Sequence, residues 1–168
     1  MTQRWPEGLS TGPMIQVAWV TDDLDATEAA LGPQFGVTRW TRLPDIHFGP
    51  DTCTFRGAPA DFTAHVSLAY SGDLQLELIQ PVRGESLYAE HLAQHGPGLH
   101  HTCFEVADMA VAVAALEAAG LDVVQAGSMA DGGMQFAYVD AVGHGASYVE
   151  LAWVRDDMRG FFEALKRG

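Results

Sequence analysis

The 168-residue chain sets 9 Lys plus Arg against 22 Asp plus Glu, for a formal charge of −13, and is 48% apolar and 18% charged. That balance describes a globular protein with one core, or two small modules sharing one. It argues against a nucleic-acid backbone or an anionic membrane as partner, because both need clustered cations.

In chain order, residues 1–13 read as a lead-in broken by Pro6, Gly8, Gly12 and Pro13. It has no apolar signal core, and no run approaches a membrane span, so the expected location is the cytoplasm. Residues 14–20 alternate as a strand, with Ile15, Val17 and Trp19 on the apolar face and Gln16 and Ala18 opposite. Asp23 is an N-cap for a helix through Leu31 that Gly32-Pro33 is expected to stop. Residues 37–43 form a second strand carrying Arg39 and Arg42. The Pro- and Gly-rich stretch 44–61 reads as a loop with one short strand at 53–56.

Residues 62–70 give a strand with His65, Ser67 and Ala69 on one face. After the Ser71-Gly72-Asp73 turn, residues 74–80 put Leu74, Leu76 and Leu78 on one side and Gln75, Glu77 and Ile79 on the other, up to Pro81. A linking helix spans 85–94. Residues 98–106 then form a strand on which His101, Cys103 and Glu105 share one face and His100 points the other way. Asp108 caps a helix stopped by Gly120, and strands follow at 121–125 and 134–140, joined by a 127–133 loop. Gly143-His144-Gly145 introduces the last strand, 147–153, with Tyr148, Glu150 and Ala152 on one face. The chain ends in a helix whose apolar stripe is Met158, Phe161, Phe162 and Leu165. Cys53 and Cys103 are too few for a disulfide framework and read as free thiols.

The two halves repeat. Gln16 aligns with His101, Asp23 with Asp108 and Leu31 with Leu116, at one constant offset. The expected fold is therefore α+β: two tandem βαβββ modules forming a curved mixed sheet around a cleft, with helices on the outer face. The modules would span 14–81 and 98–154, with a linker helix at 82–97 and a C-terminal helix at 155–168. The first strand of each module presents Gln16 or His101, and the last presents Glu77 or Glu150. A lone glutamate on a polar strand face is ordinarily solvated. Four polar residues at equivalent places in a repeat form a site instead, with three oxygens, one nitrogen and two negative charges. That set suits a divalent cation such as Zn, Mn, Co, Ni or Mg.

These residues carry a resemblance. From Leu76-Glu77-Leu78-Ile79-Gln80-Pro81 through Gly98-Leu99-His100-His101, the chain resembles the vicinal oxygen chelate (glyoxalase/bleomycin-resistance/dioxygenase) superfamily, and within it methylmalonyl-CoA epimerases and glyoxalase-like proteins. The resemblance implies metal ligands at Gln16, Glu77, His101 and Glu150. The epimerases usually have His and Gln at the first two of these positions; the order here is similar to zinc-type glyoxalase I. It further implies an isomerase, epimerase or lyase in which the cation polarises a carbonyl or thioester substrate and stabilises an enolate or enediolate. Glu150, with Glu77, would handle the proton. The epimerases' second base falls at His65. Cys103 and Tyr148 are expected to line the substrate site, with Arg39 available for an anionic group. The alternatives are a non-catalytic small-molecule-binding protein and, disfavoured by Gln16 in place of a histidine, an extradiol dioxygenase. A homodimer is compatible with such modules.

Overall fold

The computed structural model describes residues 4–140 and 147–168, so His144 and its flanking glycines lie outside the described residues. The elements are β1 (Met14–Val20), α1 (Leu24–Phe35), β2 (Thr41–Phe48), β3 (Cys53–Phe55), β4 (Ala58–Pro59), β5 (Phe62–Ser71), β6 (Leu74–Arg83), α2 (Leu87–His95), β7 (Gly98–Glu105), α3 (Met109–Ala118), β8 (Val123–Met129), β9 (Met134–Asp140), β10 (Tyr148–Val154) and α4 (Asp156–Arg167). The strands form one mixed sheet in the order β2-β5-β6-β1-β7-β10-β9-β8-β3-β4. Its centre is the antiparallel pair β1–β7, flanked by parallel β6 and β10. The fold is α+β, as the repeat predicts. Among the described residues no helix is long and apolar enough to cross a membrane.

Several boundaries move for physical reasons. Helix α1 begins at its Asp23 cap, whose carboxylate accepts from the Ala26 N–H at 2.9 Å, but it runs past Gly32-Pro33. It ends instead at Gly36, where φ is 67°. There the Val37 N–H reaches back to the Gly32 carbonyl at 2.8 Å, the closing bond of a left-handed helix cap. Strand β2 begins later than expected and keeps Pro44, because it is an edge strand with a register shift between Leu43 and Ile46. Strand β6 likewise runs through Pro81 to Arg83, beyond its pairing with β1, which ends at Ile79. Strand β8 runs from Val123 to Met129 and so takes up the first three residues of the expected 127–133 loop.

The 44–61 stretch is the larger correction. Strands β3 and β4 form a hairpin, and β3 pairs with β8 at the far edge of the sheet. Strands β2 and β3 thus stand near opposite ends of the strand order, yet only residues 49–52 separate them. The sheet must curl nearly closed for so short a link to span its ends. Aromatic packing holds the seam: Phe48 stacks on Phe62 (centroids 4.7 Å apart, 16°) and meets Phe136 of β9 edge-on at 5.8 Å. Fully burying each such ring contributes about 1.5–3 kcal/mol.

The curl also changes which strand face is buried. Trp19 packs edge-on against Phe35 of α1 at 5.7 Å on the outer side, and α3 covers the equivalent side of the second half through Ala112 and Leu116. The inner face is nevertheless the drier one: Gln16, Ala18 and Val20 are buried, whereas Ile15, Val17 and Trp19 are only partly so. Helices α2 and α4 do not lie with α1 and α3. They contribute Tyr88 on one hand and Met158, Phe161 and Phe162 on the other to the lining of the concave side. No α4 residue is fully buried, and Phe161 is 40% exposed, so its apolar stripe borders the cleft rather than a core.

Gly127 of β8 is where the hairpin docks. A Cβ there would lie 2.8 Å from the Phe136 ring and 2.9 Å from the Thr52 carbonyl oxygen. Gly127→Ala is expected to cost about 1–3 kcal/mol by overpacking, a fall of roughly 3–10 °C in thermal midpoint for a chain of this size. An unchanged melting curve by circular dichroism would remove the seam from the account of stability.

Candidate metal centre

Strand register builds the site. In β6-β1-β7, Ala18 is paired with Glu77 on one side and with His101 on the other. All three therefore share the concave face, and the methyl group of Ala18 leaves room for its two neighbours to meet above it. Gln16 pairs with Gln75 and Cys103, and Glu150 pairs with Cys103 from β10. Four adjacent strands thus deliver Gln16, Glu77, His101 and Glu150 to one point.

The donor atoms converge there. His101 Nε2 lies 2.9 Å from Glu150 Oε2, 3.5 Å from Glu77 Oε2 and 3.1 Å from Gln16 Oε1. A cation with donors about 2.1 Å away holds neighbouring donors about 3.0–3.4 Å apart, along the edges of an octahedron or tetrahedron. Glu150 Oε2 is buried and has no hydrogen-bond partner of good geometry despite its closeness to the imidazole. A buried carboxylate oxygen without a donor is costly, and a cation at the centre would satisfy it. The residues fit a divalent metal: Glu77, His101 and Glu150 form a potential metal-holding group, and Gln16 adds a neutral oxygen.

In the metal-free chain the imidazole carries the compensating charge. Burial alone would lower its pKa, but the carboxylates of Glu150 and Glu77 beside the ring outweigh burial and raise His101 to about 9. Burial raises Glu77, only partly offset by His101.

The strand alternation predicts His100 on the opposite face, and the structure corrects this. Strand β7 has a bulge where Ala18 pairs with His101 but Trp19 pairs with Leu99. The extra residue turns His100 inward beside His101. Their Nδ1 atoms are 2.8 Å apart, and both rings are fully buried. If His101 ligates through Nε2, its Nδ1 carries the proton and donates to His100, which fixes the ring's orientation. His100 stays a neutral acceptor, since burial and then the His101 charge push its pKa down to about 2.

Other supporting residues were missed from sequence. Gln16 Nε2 donates to Gln75 Oε1 at 2.6 Å, and Gln75 donates in turn to the Tyr70 hydroxyl at 2.6 Å, which leaves Gln16 Oε1 aimed at the centre. Gln75 stands two residues before Glu77 on the same face, so the alternation did carry its signal. Tyr138 is the cross-strand partner of Glu150. Its hydroxyl meets that of Tyr88 at 2.8 Å, and its ring packs 5.0 Å from His101. Burial, then the charge of Glu150, raises the pKa of both phenols.

Of the remaining expected residues, Cys103 is buried between Gln16 and Glu150, and burial followed by the Glu150 charge raises its thiol pKa; it faces a neighbouring recess with Glu105 and Arg159 rather than the cleft above the donors. Tyr148 shares the Glu150 face but packs its ring 5.0 Å from His100. His65 is not in the cleft. It pairs with Gln80 on the side of Leu76 and Leu78, and its Nδ1 accepts from the Asp45 N–H at 3.0 Å. The placement of a second base there is therefore corrected by strand parity. Arg39 is also elsewhere, lining a surface recess with Tyr70, Lys166 and Gly168. Arg42 is tied to Asp25 and Glu28 of α1.

Above the four donors lies an apolar cleft with about 80 Å³ of enclosed space, narrower than the about 300–1,000 Å³ usual for small-molecule sites. Its walls include Leu43, Phe48, Val66, Met129 and Phe136, closed by Phe161 and Phe162 of α4.

Residues 15–138 match the family model described as the Glyoxalase/Bleomycin resistance protein/Dioxygenase superfamily. Among solved structures, methylmalonyl-CoA epimerase from Mycobacterium tuberculosis is similar at TM-score 0.61 and 16% identity, over 95% of this chain and 98% of that one. A hypothetical protein from Bacillus halodurans C-125 is similar at TM-score 0.62 and 15% identity, over 88% and 96%. A variant of Streptomyces coelicolor methylmalonyl-CoA epimerase in complex with 2-nitronate-propionyl-CoA gives TM-score 0.55 at 22% identity, over 88% and 97%. At such identities the likeness is one of fold. No curated protein sequence matches the chain.

Loading a cation at neutral pH must displace the His101 proton. Apparent Zn²⁺ affinity, measured by chelator competition, is expected to rise about tenfold per pH unit from about pH 6.5 and to level off near pH 9. An affinity independent of pH over that window would mean that His101 is not displaced.

Proposed function

The chain belongs to the glyoxalase/bleomycin resistance protein/dioxygenase superfamily, and on that premise we propose that it is a metal-dependent isomerase, epimerase or lyase acting on the carbon beside a carbonyl group. One observation carries the reading: Glu150 Oε2, buried and without a hydrogen-bond partner, converges with Glu77, His101 and Gln16 at the floor of an apolar cleft. Gln16, Glu77, His101 and Glu150 would hold the ion, with Zn, Mn, Co, Ni and Mg all compatible with the donor set. A divalent cation bound there supplies a Lewis acid for the substrate's carbonyl oxygen.

The chain's own residues then divide the work. Glu150 accepts the proton from the carbon beside the carbonyl at a carboxylate oxygen, and Glu77, reaching in from β6 beyond β1, returns it. The Gln75–Gln16 and His100–His101 hydrogen bonds hold the donors in place, so that little reorganisation accompanies reaction. The apolar walls exclude water from the carbanion-like charge.

The same walls support a second reading, a protein that binds a small molecule without transforming it. The two readings separate on solvent exchange. In ²H₂O, the metal-loaded protein is expected to incorporate deuterium beside the carbonyl of an enolisable substrate, followed by proton NMR across thioesters, 2-oxoaldehyde adducts and aryl ketones. Glu150→Gln and Glu77→Gln should each lower the exchange rate by about 10²–10⁴-fold while leaving the fold intact by circular dichroism. Wild-type exchange in both variants would sink the catalytic reading, and tight binding with no exchange would favour sequestration.

A further inference from the structure

We propose that the ligand of this cleft is an uncharged, largely apolar carbonyl compound bearing a ring, which enters without an anionic carrier such as coenzyme A or glutathione. This rests on the catalytic reading of the metal centre and narrows its substrate class.

The walls specify the ligand by what they can solvate. Above the donors the cleft is bounded by aliphatic and thioether side chains from β2, β5, β8 and β9, and by the rings of Phe48, Phe136, Phe161 and Phe162. Rings in such a setting favour a ring in the ligand, through stacked or edge-on contacts of about 0.5–1.5 kcal/mol each beyond burial. The polar atoms on its lining cluster at the floor, where Gln16, Gln75, Glu77, Glu150 and the Tyr88–Tyr138 pair lie. A carbonyl end pointing down and an apolar body pointing up match that division.

The distribution of cations excludes the anionic carriers. The chain has 9 Lys plus Arg, and among the described residues none lines the cleft. Six are held in ion pairs elsewhere: Arg42 with Asp25 and Glu28, Arg56 with Glu90, Arg83 with Asp61, Arg155 with Asp157, Arg159 with Glu105, and Lys166 with Asp73. Arg39 lines the surface recess near Gly168, and Arg4 and Arg167 are exposed outside the cleft. The two carboxylates cancel the charge of a divalent cation, so the centre has none left over for phosphates. A chain of net charge −13 adds long-range repulsion to any polyanion. Coenzyme A carries a diphosphate and a further phosphate; among the described residues no Lys or Arg lines the cleft to pair with them, and Arg159, in the recess that adjoins it through Gln16, Gln75, Met134 and Phe162, is already paired with Glu105.

The test uses the full chain loaded with Co²⁺, whose visible absorption reports both occupancy and ligand approach. Two probes are titrated by calorimetry and by that absorption: 1-phenyl-1,2-propanedione, and propionyl-CoA. The diketone is expected to perturb the Co²⁺ band and to bind about a hundredfold or more tighter than the thioester. Phe161→Glu, at a position already 40% exposed and therefore tolerant of substitution, should weaken the diketone about tenfold or more. Thioester binding as tight as that of the diketone, or diketone affinity unchanged by Phe161→Glu, overturns the proposal. Failure to take up Co²⁺ is a different outcome. It removes the catalytic reading, and the ligand class is then decided by the same calorimetric comparison on the metal-free chain.

Discussion

Strand β1 lies between β6 and β7, so the methyl group of Ala18 is all that stands between Glu77 and His101 on the concave face. Everything that could act as a metal centre follows from that three-strand register. Shifting β1 by one residue against either neighbour would turn Gln16 to the helical side and bring a large side chain between the donors. The antiparallel β1–β7 pair also fixes the relation of the two halves, because each half contributes one of its strands. The remaining pairings, β6 on β1 and β10 on β7, then place the two glutamates on either side of one histidine.

How far this was legible in the sequence depends on which signal each residue carried. Period-two alternation singled out Gln16, Glu77, His101 and Glu150, helped by the constant offset that aligns Gln16 with His101 and by the equivalent places of Glu77 and Glu150 on the last strand of each half, since parity survives errors of a residue or two in strand ends. For His65 the rule was incomplete: alternation put it on a face with Ser67 and Ala69 but did not say on which side of the sheet, and its expected role came from family likeness. The β5–β6 register, which pairs Ser67 and Ala69 with Leu78 and Leu76, puts that face away from Glu77. The rule failed at His100, because a bulge inserts one residue and reverses parity without a local mark in the sequence. It was silent about β3 and β4. The Pro- and Gly-rich 44–61 stretch looked like a connection, and its partner β8 lies far away in sequence. Pro33 and Pro81 were read as stops, yet a helix with a good glycine cap runs past the first, and a strand that has lost one neighbour runs past the second.

The site and its surroundings make opposite demands. The donor atoms need a charge in their midst, whereas the walls above them exclude water and repel charge. In the metal-free chain a proton on His101 reconciles the two, at a pKa of about 9 set by Glu150 and Glu77 against the pull of burial. The Tyr88–Tyr138 pair lies at the boundary, spending its hydroxyls on each other and turning its ring edges to the apolar side. Among the described residues, the polar atoms left without a partner where this polar floor meets the greasy chamber are Glu150 Oε2 and His100 Nε2.

The hairpin that crosses from the first half to the edge of the second has a consequence for how the chain is made. Strands β3 and β4 emerge from the ribosome well before β8, their neighbour in the sheet, and β1 emerges well before β7. The nascent chain carries an open hydrogen-bonding edge on β1 until Glu105 has been synthesised and on β3 until Met129 has. Neither half can complete its pairing first and wait for the other, so the assembly is a non-local, high-contact-order event. Slow closure with exposed strand edges is the situation in which partly folded chains associate with one another. For this protein, the yield of folded molecules is thus set by the rate at which the two ends of one sheet find each other.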